Sequence, residues 1–127
     1  MNCKVNAHIQ KYEEENNMED LNILLVCGGG MSSGFVAKAI RKAARNKGYS
    51  GEVIARGHSE IPDYINVIDA LLIGPHFAEL THDEDLMNEL KSKNITVMVM
   101  DAKLYSQMNG EKLLEQLLEK RKEEQDG

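Results

Sequence analysis

Tryptophan is absent from this chain, aromatic residues make up 5% of it, and cysteine occurs twice. With so few rings, aliphatic side chains must fill the core. Two cysteines, Cys3 in a polar stretch and Cys27 at the end of an apolar run, do not make the disulfide framework of a small secreted scaffold. No CxxC or HExxH spacing occurs, so no metal site is expected. No apolar run approaches the ~20 residues of a membrane-spanning helix. The Asn/Glu-rich start has no apolar signal core, and the expected location is the cytoplasm. Positive charge is in deficit: the net charge is −6. An acidic surface repels nucleic acid and anionic lipid, so neither is an expected partner, although Arg41, Lys42 and Arg45 gather locally.

The 127 residues suit one domain with a substantial core. Residues 1–20 read as a polar, flexible leader, 21–120 as the working domain and 121–127 as a charged end. Four short apolar runs, Asn22–Val26, Glu52–Ala55, Ala70–Ile73 and Thr96–Met100, are bounded by turn or charged residues. The first, third and fourth are apolar at nearly every position, as in strands covered on both faces. Helical patterns separate them. Phe35, Val36, Ala39, Ile40, Ala43 and Ala44 form a stripe that Gly48 is placed to stop. Shorter helices are expected at 61–67 and at 77–91, the latter facing inward through Leu80, Leu86, Met87 and Leu90. A last helix over 110–122 carries Leu113, Leu114, Leu117 and Leu118, with a solvated, fraying end from Glu119. Alternating strands and helices predict an α/β fold: a four-stranded parallel sheet in the order 2-1-3-4, wrapped by helices. Sites in such sheets lie beyond the strands' carboxyl ends, where the strand order reverses. That places Cys27 at the centre of interest.

The segment Cys27-Gly28-Gly29-Gly30-Met31-Ser32-Ser33-Gly34 joins a strand to a helix. Its glycines let backbone N–H groups converge, and the helix start adds unpaired donors and the positive end of a dipole. Ser32 and Ser33 offer hydroxyls or a helix cap. The result is an anion cradle whose field is expected to favour the Cys27 thiolate. One loop can thus activate sulfur and hold a phosphoryl group. A cysteine ending a buried strand is also a good apolar filler, and three glycines are also a turn; their coincidence at the switch point favours chemistry. The loop has no GxxxxGK[ST] lysine and no GxGxxG with a following acid, so no nucleotide cofactor is expected. Ser33 stands where the Cys-x5-Arg loop of low-molecular-weight tyrosine phosphatases has arginine, which favours handing a phosphoryl group on over hydrolysing an ester.

Ile23-Leu24-Leu25-Val26-Cys27 followed by Gly30-Met31-Ser32-Ser33 resembles the phosphocysteine loop of IIB components of the lactose/cellobiose class, in the bacterial phosphoenolpyruvate-dependent sugar phosphotransferase system. Asp69–Pro75 is similar to that family's third strand and Gly-Pro turn. Met100-Asp101, Tyr105 and Met108–Lys112 are similar to its fourth strand and last helix. The resemblance spans about residues 21–120. It implies a doubly wound fold like that of low-molecular-weight tyrosine phosphatase. It also implies a transferase component that takes a phosphoryl group from a IIA phosphohistidine onto Cys27 and delivers it to a cellobiose-, lactose- or chitobiose-like sugar entering through a membrane IIC permease. Gly28, Gly29, Gly30, Met31, Ser32 and Ser33 would bind the phosphate. Gly74, Pro75, His76 and Tyr105 would stand around them. No cofactor or metal is implied, and association with the membrane would run through IIC. The sequence departs from the family pattern at Gly28-Gly29, at His76, where glutamine is expected, and in the leader.

His76 and His58 end strands near the loop and could reach an anion, or could be surface histidines. His8 and His82 read as solvent-facing. Asp101 reads as a cap, and Met31 and Met108 as either a docking rim or core. Two other functions use the same loop: a thiol redox or detoxifying protein, which would lack a nearby resolving cysteine, and a non-enzymatic anion sensor.

Overall fold

A computed structural model describes residues 20–27 and 31–126. The expected leader, apart from Asp20, and the glycines 28–30 lie outside the described residues. The chain runs β1 (Ile23–Val26), α1 (Met31–Asn46), β2 (Val53–Arg56), α2 (Ile61–Tyr64), β3 (Ala70–Ile73), α3 (Glu84–Ser92), β4 (Thr96–Val99), α4 (Ala102–Ser106) and α5 (Gly110–Asp126). Short 3-10 segments, His58–Glu60 and Pro75–His82, precede α2 and α3. The four strands form one parallel sheet in the order β2-β1-β3-β4, as the sequence predicts.

Every residue of β1 and β3 is buried, because these two strands lie inside the sheet with helices on both faces. Alternate side chains feed two cores. On one face Ile23, Leu25, Leu72 and Met98 meet Val36, Ile40, Leu113, Leu114 and Leu117 of α1 and α5. On the other Leu24, Val26, Leu71 and Ile73 meet Ile61, Ile65, Leu90 and Ile95. β4 is an edge strand, as the predicted order has it, but it is not covered on both faces as its apolar run suggests: Val97 is half-buried and Val99 exposed.

Both edges are guarded by cations from the helices. Arg41 of α1 donates to the Val53 carbonyl at 2.6 Å, and Lys120 of α5 donates to the Val97 carbonyl. An outward carbonyl already engaged is a poorer template for another strand. Arg45 donates to Tyr49 O at 3.4 Å, so the arginines of the local basic cluster serve the fold.

Helix ends follow local chemistry. After α1, Gly48 adopts φ +90, and the N–H groups of Gly48 and Tyr49 donate to Arg45 O and Ala44 O, each at 3.0 Å. That is a Schellman stop. The single helix expected over 77–91 divides in two. Asp83 is extended (φ −80, ψ 98), ends the 3-10 segment, and caps α3 by accepting from the Leu86 N–H at 3.1 Å. Asp101 caps α4, a helix the apolar pattern does not announce, by accepting from the Leu104 N–H at 2.9 Å.

The charged end of α5 does not fray. It stays helical to Asp126, and Arg121 donates to the Asp69 carbonyl at 2.9 Å while Thr96 donates to Glu124 at 2.8 Å. Glu119, Lys122, Glu123 and Glu124 are exposed, as their charge suggests, while Arg121 and Glu124 reach polar groups of the sheet. At its other end α5 starts on Gly110, which packs directly on α1: a Cβ there would overlap the backbone of Ala39 and Ile40.

Gly110→Ala should therefore lower stability by about 1–3 kcal/mol in denaturant unfolding, despite alanine's better helix propensity. An unchanged midpoint would mean that the two helices separate freely. Arg121→Ala should cost about 1 kcal/mol, whereas a solvated end would leave the midpoint where it is.

Candidate functional site

Register builds the site. Val26 pairs with Arg56 on one side and Ile73 on the other, and Ile73 pairs with Val99. The residues that follow, Cys27, Gly57, Gly74 and Met100, therefore line one end of the sheet. Backbone bonds continue the alignment: Cys27 N–H donates to Arg56 O at 3.4 Å, Gly74 N–H to Val26 O at 2.8 Å, and Met100 N–H to Ile73 O at 2.8 Å. The strand order reverses between β1 and β3, so Cys27 and Gly74 flank the switch point.

Cys27 is 5% exposed and belongs to the core under α1 and α5. Two walls hold its sulfur. A Cβ on Gly74 would lie 3.3 Å from Cys27 Sγ and 3.3 Å from Val26 O, so a larger residue would press on the sulfur. On another side Tyr105 of α4 packs against the core that contains Cys27. Burial pushes the Cys27 thiol up, and the polar side chain of Tyr105 pulls it part of the way back. This corrects the expectation of a sulfur held as thiolate. The strand carries the side chain into an apolar layer, and removing the anion from water outweighs what stabilises it.

α1 begins at Met31, so the backbones of Met31, Ser32 and Ser33 occupy its first turn, where N–H groups have no intrahelical acceptor. No acidic residue stands in that turn to compete for them. Ser33 is buried. The predicted contacts of Gly28, Gly29 and Gly30, and of the Met31 and Ser32 side chains, fall outside the described residues. The turn leading from Gly74 places Pro75 half-buried and His76 exposed at the same end. His58 stacks on Phe77 (ring centroids 5.7 Å apart, 34° tilt), which ties together the segments following β2 and β3. Phe35, read from its spacing as an inward residue, is 52% exposed, and Met108 is 42% exposed at φ +54. The buried stripe of α1 runs through Ser33, Val36, Ala37, Ile40, Ala43 and Ala44, and Phe35 falls outside it.

The packing of Gly74 against sulfur was not legible. Its only sequence signal is a glycine directly after a buried strand, which usually reads as a turn. Tyr105 was legible as a neighbour, and it packs against the core that holds Cys27. A groove of about 840 Å³ lies at the far end of the sheet between Thr96, Lys91 and Arg121. Its Lys120, Arg121, Glu124 and Thr96 already serve one another or the backbone. Among the described residues, no group of three or more His, Cys, Asp or Glu could hold a metal, and no helix is long and apolar enough to cross a membrane.

In a Cys3→Ser chain, the alkylation rate of Cys27 should rise with a midpoint above the ordinary thiol value of about 8.5. A midpoint below it would contradict a desolvated sulfur. Because the folded chain binds this proton more tightly than the unfolded one, its contribution to stability is full below the unfolded-chain thiol pKa. It falls as pH rises toward the folded value.

The comparisons agree with this geometry. The family model described as "PTS system, Lactose/Cellobiose specific IIB subunit" matches residues 22–116. The oligo-beta-mannoside-specific EIIB component of the phosphotransferase system of Bacillus subtilis is 33% identical over 96 residues, covering 76% of this chain and 91% of that one. A lactose-specific EIICB component from Lacticaseibacillus casei is 26% identical over 74 residues, 58% of this chain and 12% of its own length. The solved lactose-specific IIB domain of Streptococcus pneumoniae shares the fold at TM-score 0.65 and 19% identity, covering 79% of this chain and 96% of that chain. Sheet order, switch-point cysteine and a match along most of the sequence lead to one conclusion: the chain belongs to the lactose/cellobiose-specific IIB family of the sugar phosphotransferase system.

Proposed function

We propose that Cys27 is the phosphoryl carrier of this IIB component. The observation that carries the reading is the position of its sulfur. It lies at the carboxyl end of an inner strand, at the switch point, ahead of a 16-residue helix with no acid in its first turn. Sulfur attacks the phosphorus of a phosphohistidine on a IIA partner. An S–P bond forms as the N–P bond breaks, and the thiol proton passes to the released imidazole nitrogen. Delivery reverses the roles: a sugar hydroxyl oxygen bonds to phosphorus, the S–P bond breaks, and the hydroxyl proton goes to sulfur. A buried sulfur that binds its proton firmly suits both proton movements, since neither requires a free thiolate at rest.

The backbone N–H groups of Gly28 to Ser33 would hold the phosphoryl oxygens, with Gly74 leaving room at sulfur and Pro75 and His76 at the rim. Positioning and fixed dipoles supply most of the catalysis in such transfers. The sugar is a β-linked disaccharide or a relative of one, received through a IIC permease. The EIICB name of one relative supports a IIC partner, and the chain would work on the cytoplasmic face. A redox role draws less support, because redox thiols are accessible and low in pKa, unlike Cys27.

Incubated with phosphoenolpyruvate, the general phosphotransferase proteins and a competent IIA, the chain should gain the mass of one phosphoryl group. Cys27→Ser should gain none, and sugar with IIC membranes should discharge the adduct. Failure of the wild type to load from a IIA that serves another IIB would overturn the reading.

A further inference from the structure

We propose that the groove between α3, β4 and α5, at the amino end of the sheet, is a second ligand site and that it takes a phosphorylated sugar. The choice of ligand rests on the carrier reading above, in which a sugar phosphate is the product. The site itself lies at the opposite end of the strands from Cys27 and does not involve it.

Charge marks the site. The groove, about 840 Å³, is lined by three cations, Lys91 of α3 with Lys120 and Arg121 of α5, and by one carboxylate, Glu124. The chain as a whole carries −6. A concave positive site on an acidic protein concentrates anions. The bonds these cations make do not discharge them. Lys120 donates to the Val97 carbonyl, and Arg121 donates to the Asp69 carbonyl at 2.9 Å; both acceptors are neutral. An ammonium has three donors and a guanidinium five, so each keeps N–H groups for a ligand. Glu124 is engaged by the Thr96 hydroxyl at 2.8 Å. Among the described residues none of the three cations is in an ion pair, and the Lys91 side chain is exposed with no hydrogen bond.

The carbonyls that end α3 would oppose an anion, but they are occupied. Glu89 O accepts from the Lys93 N–H at 3.2 Å, Leu90 O from the Ile95 N–H at 3.0 Å, and Lys91 O from the Asn94 N–H at 3.0 Å. Asn94, at φ +61, makes this turn and lines the groove. The rest of the lining selects the kind of anion. A bare phosphate needs only the cations. Met87, Ile95 and Val97 add an aliphatic floor that suits the C–H face of a sugar ring. Asn94 and Glu124 supply an amide and a carboxylate for hydroxyls. A phosphate monoester carries about −1.5 to −2 at neutral pH, which the excess of cations over carboxylate in the groove balances.

Titrating the isotope-labelled full chain with cellobiose 6-phosphate, followed by amide NMR, tests the site. The resonances of Asn94, Thr96 and Val97 should shift and saturate. Unmodified cellobiose should leave them unmoved, and inorganic phosphate should bind more weakly than the sugar phosphate. Lys91→Glu, at an exposed position that bonds nothing in the fold, should weaken binding by about tenfold or more at an unchanged thermal unfolding midpoint. Lys91→Gln should fall between that variant and the wild type. Cys27→Ser should bind as the wild type does. A chain that never loads from IIA can therefore still show the site, and a chain without the site can still load Cys27. Shifts confined to Met31–Ser33 would put the ligand on the loop and overturn the proposal. So would the absence of any saturable shift in the groove, equal binding of inorganic phosphate and the sugar phosphate, or wild-type affinity in Lys91→Glu.

Discussion

The parallel register of β1 between β2 and β3 is the constraint on which the rest depends. Pairing Val26 with Arg56 and Ile73 fixes the point at which all three strands stop. Cys27, Gly57 and Gly74 then fall side by side with no further instruction. A slip of one residue would turn Cys27 to the opposite face, among the side chains that pack on α2 and α3, and away from Tyr105. The register is secured at the far end as well. Asn22 N–H donates to Asp69 at 2.8 Å, Asn22 Oδ1 accepts from the Glu52 N–H at 3.0 Å, and Arg121 bonds the Asp69 carbonyl. The polar latch at the amino ends of the strands thus governs the geometry at their carboxyl ends.

Burial and reactivity pull against each other at Cys27. A side chain on an inner strand is positioned more accurately than one on a loop, and it is also desolvated. Accurate placement favours in-line attack; desolvation disfavours the anion. In this fold the two meet at the end of an inner strand, where Cys27 is placed by the register of β1 against β2 and β3 and is buried in the layer under α1 and α5.

Much of this architecture was legible in the sequence because it rests on short-range patterns. Apolar tetrads bounded by turn residues gave the strands, and Gly48 gave the stop of α1. The predicted strand order gave the end of the sheet at which Cys27 lies. What escaped rests on contacts between residues far apart in sequence. Nothing near Gly110 announces that α1 will cross it. Nothing near Glu124 announces that Thr96 will meet it, so the end of α5 looked like solvated charge. The apolar run of β4 suggested cover on both faces, but at this edge only the face of Thr96 and Met98 is buried.

The error about the Cys27 proton has the same origin and is more instructive. The sequence places a helix start and three glycines after the cysteine, and that local field favours a thiolate. It does not show how deep the preceding strand lies. Once Leu25 and Cys27 are seen to point into the layer under α1 and α5, desolvation is the larger effect. Local motif and global burial act on the same proton with opposite sign. A reactive-cysteine motif at the end of a central strand therefore describes where the anion will be needed, and the packing decides whether it exists beforehand. For this chain the packing favours a thiol at rest.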